Sequence, residues 1–300
     1  MAQSTTTAKD HWSSKAYSEE VAPFVAEMTT KVISLLDPQP TGTFLPSSPS
    51  FIPSNQLTPA DRILDLGCGD GVLTARLSKH CSSIHGIDSS ANMLSTAKAH
   101  HSTPNTTYTH LDANHLPLPT TSAILQPNTF TKIFSNAALH WILRVPPPQR
   151  IAILKSLHNL LVPSGTFAAE FGAHGNCAEI LAALIAALVH RGVAVEVVRE
   201  ACPWWFPSEE EVRELWSEAG FAVESLQVEL RQTELPQGNV GGWVRLFGNA
   251  FLELVHEGER EGVVREVMSV LESIGRVGGG DDGVFTINYI RCRILARRGV

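Results

Sequence analysis

A glycine-rich stretch links a short apolar run, Arg62–Leu66, to a segment with helical spacing that begins at Val72. Its glycines stand at alternate positions: Gly67, Gly69 and Gly71. This pattern is typical of a strand, a tight turn and a helix. Because glycine has no Cβ, the turn lets a ligand lie against backbone amides, and the start of the helix adds unpaired N–H groups and a partial positive charge. The stretch therefore predicts a binding site for a nucleotide-like or carboxylate-bearing ligand.

An aspartate stands at the end of each of the first three predicted strands: Asp65, Asp88 and Asp112. Asp88 follows the first glycine by about 20 residues, the distance at which a carboxylate takes both hydroxyls of a ribose. A lone aspartate at a strand end is often only a helix cap, but three in register with a glycine-rich turn favour ligand binding. A dinucleotide oxidoreductase is disfavoured, because Val72 stands where close helix packing requires Gly or Ala, and because Asp112 has no place in that pattern.

Four sequence blocks, in this order and at these spacings, resemble the class I S-adenosylmethionine-dependent methyltransferases, and within them most closely the trans-aconitate methyltransferase group. The blocks are residues 65–71, 86–94, 112–113 and 135–141. The resemblance runs with gaps from Trp12 to Arg298. It implies S-adenosyl-L-methionine as cofactor and an α/β fold, a doubly wound, seven-stranded, mostly parallel Rossmann-like sheet with a helical lid.

The resemblance also implies roles for individual residues. Asp88 would bind the ribose hydroxyls, and Asp112 would accept a hydrogen bond from the adenine amine while Met93 packs on the ring. Asp65 and the glycine turn would surround the methionine end, and Tyr17 would cover the cofactor. The residues predicted to bind the cofactor are Tyr17, Asp65, Gly67, Cys68, Gly69, Gly71, Asp88, Ser89, Met93, Asp112, Ala113 and Asn136.

Strands alternate with helices from residue 61 to residue 172, which predicts a parallel, doubly wound sheet. The predicted division has four parts: an N-terminal helical lid segment (1–36), a Pro- and Ser-rich linker loop (37–60), a cofactor-binding core (61–172), and the rest of the sheet with an inserted helical cap over the acceptor site (173–300). The lid, the cap and an antiparallel final strand are implied by the resemblance. Single helices are predicted over residues 11–36 and 241–256, and Ser208 with Glu211 forms the sequence pattern of a capping box.

The composition limits the partners that we expect. A formal net charge of −7 in 300 residues, without a Lys/Arg run, argues against nucleic-acid binding. The longest apolar run, residues 180–189, is too short to cross a bilayer, so we expect no membrane contact. Five cysteines without a Cys-x-x-Cys pair predict a reducing, cytoplasmic location, and Cys68 is expected to fit the glycine turn rather than act as a nucleophile. We expect no metal site, and the oligomeric state is not readable.

Methyl transfer is an in-line displacement at a sulfonium carbon with a good, neutral leaving group. The protein therefore mainly aligns the reactants and excludes water. A carboxylate acceptor needs no base at pH 7, since its pKa is about 4, whereas a phenol, amine or alcohol would benefit from one. A carboxylate acceptor thus predicts a cation in the pocket, and a hydroxyl acceptor predicts a histidine or an acid.

Two residues are predicted to be catalytic, His140 and Arg245. His140 would orient a substrate acid or act as a base, although it could equally be a histidine packed at a helix start. Arg245 would grip an acceptor carboxylate bidentately, although an exposed surface arginine is the commoner outcome. The residues predicted to bind the acceptor, with an aromatic core as the rival interpretation, are Trp141, Trp204, Trp205 and Trp243.

The function expected from the sequence is methyl transfer from S-adenosylmethionine to a small-molecule carboxylate, giving a methyl ester. One alternative is an O-, N- or C-methyltransferase of secondary metabolism. Another is a cofactor-binding protein of the same fold that serves as a non-catalytic interaction partner, which an occluded acceptor pocket would favour. The segments that would touch an acceptor match the trans-aconitate group poorly.

Overall fold

The computed structural model describes residues 10–27, 29–36, 57–116, 125–278 and 284–300. Most of the predicted linker, residues 37–56, lies outside the described residues, as do residues 117–124 and 279–283. Within the described part of the chain, no helix is both long enough and apolar enough to span a bilayer.

Seven strands form one sheet in the order β3-β2-β1-β4-β5-β8-β6, and a two-residue strand, β7, pairs with β8. The strands are β1 (Arg62–Leu66), β2 (Ser83–Asp88), β3 (Thr106–His110), β4 (Phe130–Asn136), β5 (Leu161–Gly172), β6 (Phe221–Glu234), β7 (Arg276–Val277) and β8 (Val284–Arg298). The pairs among β1 to β5 are parallel, whereas β8 is antiparallel to both β5 and β6. The predicted doubly wound, mostly parallel sheet is confirmed, and so is the antiparallel final strand.

The α-helices in the described part of the chain are α1 (Phe24–Glu27), α2 (Thr30–Ile33), α3 (Val72–Leu77), α4 (Ala91–His100), α5 (Leu139–Ile142), α6 (Pro147–Leu160), α7 (Ala178–His190), α8 (Val195–Ala201), α9 (Glu209–Glu218), α10 (Val240–Phe247), α11 (Asn249–Leu252) and α12 (Glu257–Gly275). A π-helical turn spans Ala16–Val21, and 3-10 turns span Ser78–His80, Ala113–His115 and Pro236–Gly238.

Side-chain caps fix where two of these helices begin. The Ser90 hydroxyl accepts from the Met93 N–H at 3.1 Å and starts α4 directly after β2. The predicted capping box is confirmed at α9, where the Ser208 hydroxyl accepts from the Glu211 N–H at 3.2 Å and the Glu211 carboxylate accepts from the Ser208 N–H at 2.7 Å.

The sheet buries both faces. Ile63 and Leu64 are adjacent on β1, yet Ile63 packs in a cluster with residues of α2 and α3 while Leu64 packs in a cluster with residues of α6 and α9. This is the alternation of a strand with helices on either side. A third cluster, which includes residues of α7, α10, α11 and α12, is the core of a helical cap.

Two predicted helices are broken. The segment 11–36 contains a π-helical turn and two short α-helices, with Pro23 between the π turn and α1, because proline lacks the N–H that a continuous helix needs. The segment 241–256 divides into α10 and α11 at Gly248, and glycine is a weak helix former. Helix α8 is not predicted by the sequence patterns.

The N-terminal segment is docked on the strand ends of the sheet. The Asp10 carboxylate accepts from the Ser90 hydroxyl at 3.0 Å and from the Asn92 N–H at 3.1 Å, both at the start of α4. The Ser18 hydroxyl donates to the Asp70 carboxylate in the glycine-rich turn. These bonds hold the N-terminal aromatic residues over the edge of the sheet where β1 and β2 end.

Candidate active site

A cavity of about 380 Å³ lies at the carboxyl ends of β1 to β4. The N-terminal segment, the glycine-rich turn and residues of the helical cap also line it. It covers the point between β1 and β4 from which the strand order runs in opposite directions, the usual ligand position in such sheets.

The glycine-rich turn is shaped by positive backbone angles and close contacts. Gly67 has φ of 74°, and a Cβ there would lie 2.3 Å from the Ala138 Cβ, so only glycine fits. The N–H groups of Gly67 and Cys68 donate to the Ile87 carbonyl at 2.9 and 3.1 Å, which ties the turn to the end of β2. Burial raises the pKa of the Cys68 thiol well above its ordinary value, so this cysteine stays protonated in the turn.

Asp88 is oriented by the backbone. Its carboxylate accepts from the Gly69 N–H at 2.9 Å and from the Ser90 N–H at 2.8 Å. Burial raises the pKa of Asp88, although these two hydrogen bonds act in the opposite direction. A carboxylate has further lone pairs, so this fixed group can still accept from a vicinal pair of hydroxyls.

Asp65 and Asn136 place two buried oxygens on the cavity. Asp65 is 2% exposed and accepts from the Thr74 hydroxyl at 2.6 Å, and burial raises the pKa of this carboxyl to about 7. The side-chain oxygen of Asn136 is buried and has no hydrogen-bond partner among the described residues. Buried acceptors require donors, so these oxygens favour a ligand that carries an ammonium.

Asp112 serves as the cap of a 3-10 turn, where its carboxylate accepts from the Asn114 N–H at 2.9 Å. Asp112 also lines the cavity together with Ala113, Met93 and Ser89. The structural and the ligand-binding interpretations of Asp112 are therefore compatible, because one carboxylate oxygen bonds the turn and the second, 3.9 Å from His115 Nδ1, can accept from a ligand donor.

Eleven of the twelve residues predicted to bind a cofactor line the cavity. The exception is Gly71, where φ is 85° and a Cβ would lie 2.7 Å from the Tyr108 hydroxyl oxygen. Gly71 therefore allows the turn to pack on the core at the start of α3 and does not reach the ligand space.

The part of the cavity nearest the cap is lined by aromatic side chains, which we call the aromatic wall. They are Trp12, Tyr17, Trp141, Trp204, Phe206, Trp243, Phe247 and Tyr289. The Trp141 ring lies edge-on to both Trp12 and Trp204, with centroids 5.4 and 5.6 Å apart, and Trp243 lies 5.0 Å from Phe247. Ring contacts thus connect the wall residues of the N-terminal segment, the core and the cap, except Tyr289, which joins them through a hydrogen bond from Trp243.

His140 lines the cavity with a defined tautomer. The Gly172 N–H donates to Nδ1 at 3.2 Å, so in the neutral ring the proton lies on Nε2. Burial and the positive charge of Arg291 hold the pKa of His140 well below its ordinary value, which keeps the ring neutral. His140 is therefore a hydrogen-bond donor through Nε2, and its basic nitrogen is already occupied.

Arg291 is a buried cation that has no counter-ion among the described residues. It pairs with Gly172 across β8 and β5, lines the cavity and is 4% exposed. Its guanidinium lies 4.5 Å from the centroid of the Tyr289 ring. Among the described residues the Arg291 side chain has no hydrogen-bond acceptor and no ion-pair partner, and Nε is fully buried. A buried guanidinium in this state is a site for an anion.

Two predicted residues lie elsewhere. Arg245 is on the surface, with 49% of its side chain exposed, and binds Glu261 through two hydrogen bonds of 2.8 and 2.6 Å. Its position therefore gives no support to the expected carboxylate-binding role. Trp205 is packed in the core beside the sheet, with the Arg150 guanidinium 4.5 Å from its ring, and does not line the cavity. The predicted Trp141, Trp204 and Trp243 do line it.

Sequence reasoning missed Arg291, Tyr289 and Phe247. Arg291 carried one usable signal, because it stands between the apolar Ile290 and Cys292 in a predicted strand, where an arginine is unusual. The others were indistinguishable from core residues.

Residues 63–165 match a family model described as a methyltransferase domain. Over 294 residues the chain is 31% identical to an uncharacterized methyltransferase of Schizosaccharomyces pombe, covering 97% of this chain and 99% of that protein.

Solved structures show the same fold. Haemonchus contortus phosphoethanolamine N-methyltransferase 2, in complex with phosphomonomethylethanolamine and S-adenosylhomocysteine, has a TM-score of 0.51 and 17% identity, covering 95% of this chain and 56% of that one. The YcgJ protein of Bacillus subtilis has a TM-score of 0.51 and 13% identity, covering 81% of this chain and 94% of that one.

Proposed function

The chain belongs to the methyltransferase family, and we propose that it transfers the methyl group of S-adenosylmethionine to the carboxylate of a small molecule, giving a methyl ester. The cofactor, when bound, supplies a methyl group on a positively charged sulfur that departs as a neutral thioether. The residues at the ends of β1, β2, β3 and β4 fit this cofactor, because they supply separate acceptors for its hydroxyls, its ammonium and its adenine amine.

Each of these residues has a stated part in holding the cofactor. Asp88 would accept from the ribose hydroxyls, while Asp65 and the Asn136 oxygen would accept from the ammonium. Asp112 would accept from the adenine amine, with Met93 against the ring. Ionised Asp65 would gain a partner for a charge that burial otherwise disfavours.

The observation that carries the acceptor class is Arg291. Leaving a buried charge unpaired is strongly unfavourable, so a buried guanidinium that faces a cavity is best explained by a ligand that brings the anion. Register places Arg291 beside Gly172, at the same edge of the sheet as the ends of β1 and β4. A carboxylate bound there would lie next to the cofactor part of the cavity.

His140 supports the same class of acceptor. A hydroxyl or amine acceptor would benefit from a base, yet the basic nitrogen of His140 is bonded to the Gly172 N–H. A carboxylate is already ionised at pH 7 and needs no proton removed. Arg291 and the Nε2–H of His140 would orient it, one carboxylate oxygen would form the new bond to carbon, and no proton would move.

The rival non-catalytic role predicts a blocked acceptor pocket. The cavity instead runs from the glycine-rich turn to the aromatic wall and Arg291 without interruption among its described lining residues. This continuity supports turnover.

The test is methyl transfer from isotopically labelled S-adenosylmethionine to matched acids, alcohols and amines. We expect label in the acids, and we expect mild alkali to release it as methanol, because only esters are cleaved under those conditions. Label that enters alcohols or amines and resists alkali would contradict the proposal, and so would the absence of label in every acid.

A further inference from the structure

We infer that the acceptor is a monocarboxylic acid with a flat, apolar body, best an aromatic ring, and that acids carrying a second carboxylate are rejected. This rests on the proposed carboxylate methylation and narrows it. The inference follows from the charges of the cavity and from the aromatic rings that line it.

The described lining of the cavity has one positive side chain that can pair with an anionic group of the acceptor. Arg291 is the only lysine or arginine among the described residues that line it. The acidic lining residues, Asp65, Asp70, Asp88 and Asp112, belong to the cofactor part. A second carboxylate on the acceptor would have no cation to pair with and would add to this negative charge, so its desolvation would go uncompensated.

Part of the hydrogen-bonding capacity around the aromatic wall is already used within the protein. The Trp243 indole N–H donates to the Tyr289 hydroxyl oxygen at 2.7 Å. The Asn176 oxygen accepts from the Ile290 N–H at 2.9 Å, and its amide donates to the Cys177 sulfur at 3.5 Å. Among the described lining residues the wall offers ring surface with isolated N–H and O–H groups and no cation besides Arg291, so a polycarboxylated body would lose its hydration without gaining a counter-charge.

The same rings favour a flat body. The Trp204 and Phe206 rings are stacked with 14° between their planes, and Trp141 lies edge-on to Trp204. Offset stacking and edge contacts of this kind are available to an aromatic ligand as well. Because Arg291 is held against the Tyr289 ring, an acid anchored on the guanidinium would extend its body along the wall.

A simple amine is a poorer occupant, although aromatic walls also bind cations. The guanidinium of Arg291 would repel an ammonium, and its interaction with Tyr289 already uses one aromatic face. An aromatic wall can accept either a cation or a flat apolar ring. The positive charge on Arg291 disfavours the cation and favours a ring that carries a carboxylate.

The experiment compares kcat/KM of the unmodified protein on pairs of acids that differ by one carboxylate. The pairs are benzoate against terephthalate and cinnamate against 4-carboxycinnamate, with trans-aconitate as an acyclic polycarboxylate. We expect each monocarboxylate to exceed its partner and trans-aconitate by about a hundredfold or more, since an unpaired buried carboxylate is discriminated against at least as strongly as other unmatched polar groups.

Failure of this inference can be distinguished from failure of the proposed carboxylate methylation. If terephthalate or trans-aconitate is esterified as well as benzoate or better, the inference is overturned while carboxylate methylation stands. If none of these acids is methylated and amines or alcohols are, carboxylate methylation fails and the inference fails with it. In both cases S-adenosylhomocysteine binding, measured by calorimetry on the same sample, shows that the cofactor part is intact.

Discussion

The two halves of the cavity are built in opposite ways. The cofactor half comes from short segments that follow successive strands, between Asp65 and Asn136, and it relies on backbone turns and carboxylates. The acceptor half comes from side chains as far apart in sequence as Trp12 and Arg291, and it relies on aromatic rings and one cation. The first half depends on local geometry, whereas the second exists only when the N-terminal segment and the cap meet.

Because the two halves are built from different residues, we expect a single substitution to impair the binding function of one half only. A substitution at a strand end should weaken cofactor binding and leave acceptor binding unchanged. A substitution in the aromatic wall or at Arg291 should weaken acceptor binding and leave cofactor binding unchanged. The substitutions below test this separation, from the largest expected effect to the smallest.

Replacing Arg291 with methionine should have the largest effect. We expect Arg291→Met to lower kcat/KM for an acid acceptor by about 10³-fold, equivalent to roughly 4 kcal/mol, because truncating one partner of a buried charge pair has this magnitude. Affinity for S-adenosylhomocysteine should stay within about twofold. Removal of an unpaired buried charge should also raise the free energy of unfolding by roughly 1–3 kcal/mol, which thermal denaturation would detect.

Arg245→Met is the matched control for Arg291→Met. Arg245 forms an exposed ion pair with Glu261, so its loss should change stability by less than about 1 kcal/mol and leave kcat/KM unaltered. If Arg245→Met impaired acid turnover and Arg291→Met did not, the assignment of Arg291 to the acceptor site and of Arg245 to the surface would be contradicted.

Asp88→Ala should weaken the cofactor half. Loss of the charge-assisted bonds to both ribose hydroxyls should reduce affinity for S-adenosylhomocysteine by roughly 2–4 kcal/mol. Calorimetric titration measures this directly. The placement of the ribose at Asp88 would be wrong if the variant bound S-adenosylhomocysteine as tightly as the unmodified protein.

Trp204 and Trp205 are adjacent in sequence but lie in different surroundings, which makes a matched pair. Trp204→Leu should raise the KM of an aromatic acid about tenfold, because an aromatic contact in the wall is lost. Trp205→Leu should lower stability through its core position and leave that KM unchanged. Equal effects of the two substitutions on KM would remove the distinction between wall and core.

Asp65 predicts a pH dependence of cofactor binding. Its pKa is raised from 3.8 to about 7, so its protonated form stabilises the folded protein below about pH 4, and this contribution is lost as the pH rises through 7. A ligand ammonium requires the ionised form, so affinity for S-adenosylhomocysteine should increase about tenfold between pH 6 and pH 8. In Asp65→Asn this increase should vanish, and a flat profile in the unmodified protein would exclude the role of Asp65.

The comparison also explains what the sequence could predict. The strand β1 was predicted to the residue, because its apolar run is followed directly by the glycine-rich turn, whose effect is local. The same short-range signals predict the residues of the cofactor half, and eleven of those twelve residues line the cavity. A cofactor-covering role for Tyr17 is predicted only through the family resemblance, since an aromatic at helical spacing is more often part of the core.

The acceptor half could not be predicted because its chemistry arises from topology. Insertion of β8 between β5 and β6 brings Arg291 beside Gly172, and no spacing along the chain encodes that contact. Arg245 was preferred for its place on a cap helix, yet Glu261 sixteen residues later is its partner on the protein surface. Trp204 and Trp205 could not be separated, because a pair of neighbouring tryptophans outside regular structure does not show which ring faces the cavity.

The account depends most on the claim that Arg291 receives the carboxylate of the acceptor beside the cofactor. The most direct measurement is a crystal structure of the protein with S-adenosylhomocysteine, which has no methyl group to transfer, and benzoate. The account predicts the benzoate carboxylate within hydrogen-bond distance of the Arg291 guanidinium and His140 Nε2, with its ring against the aromatic wall. Benzoate bound elsewhere, or a carboxylate of the protein itself paired with Arg291 in that complex, would contradict the claim.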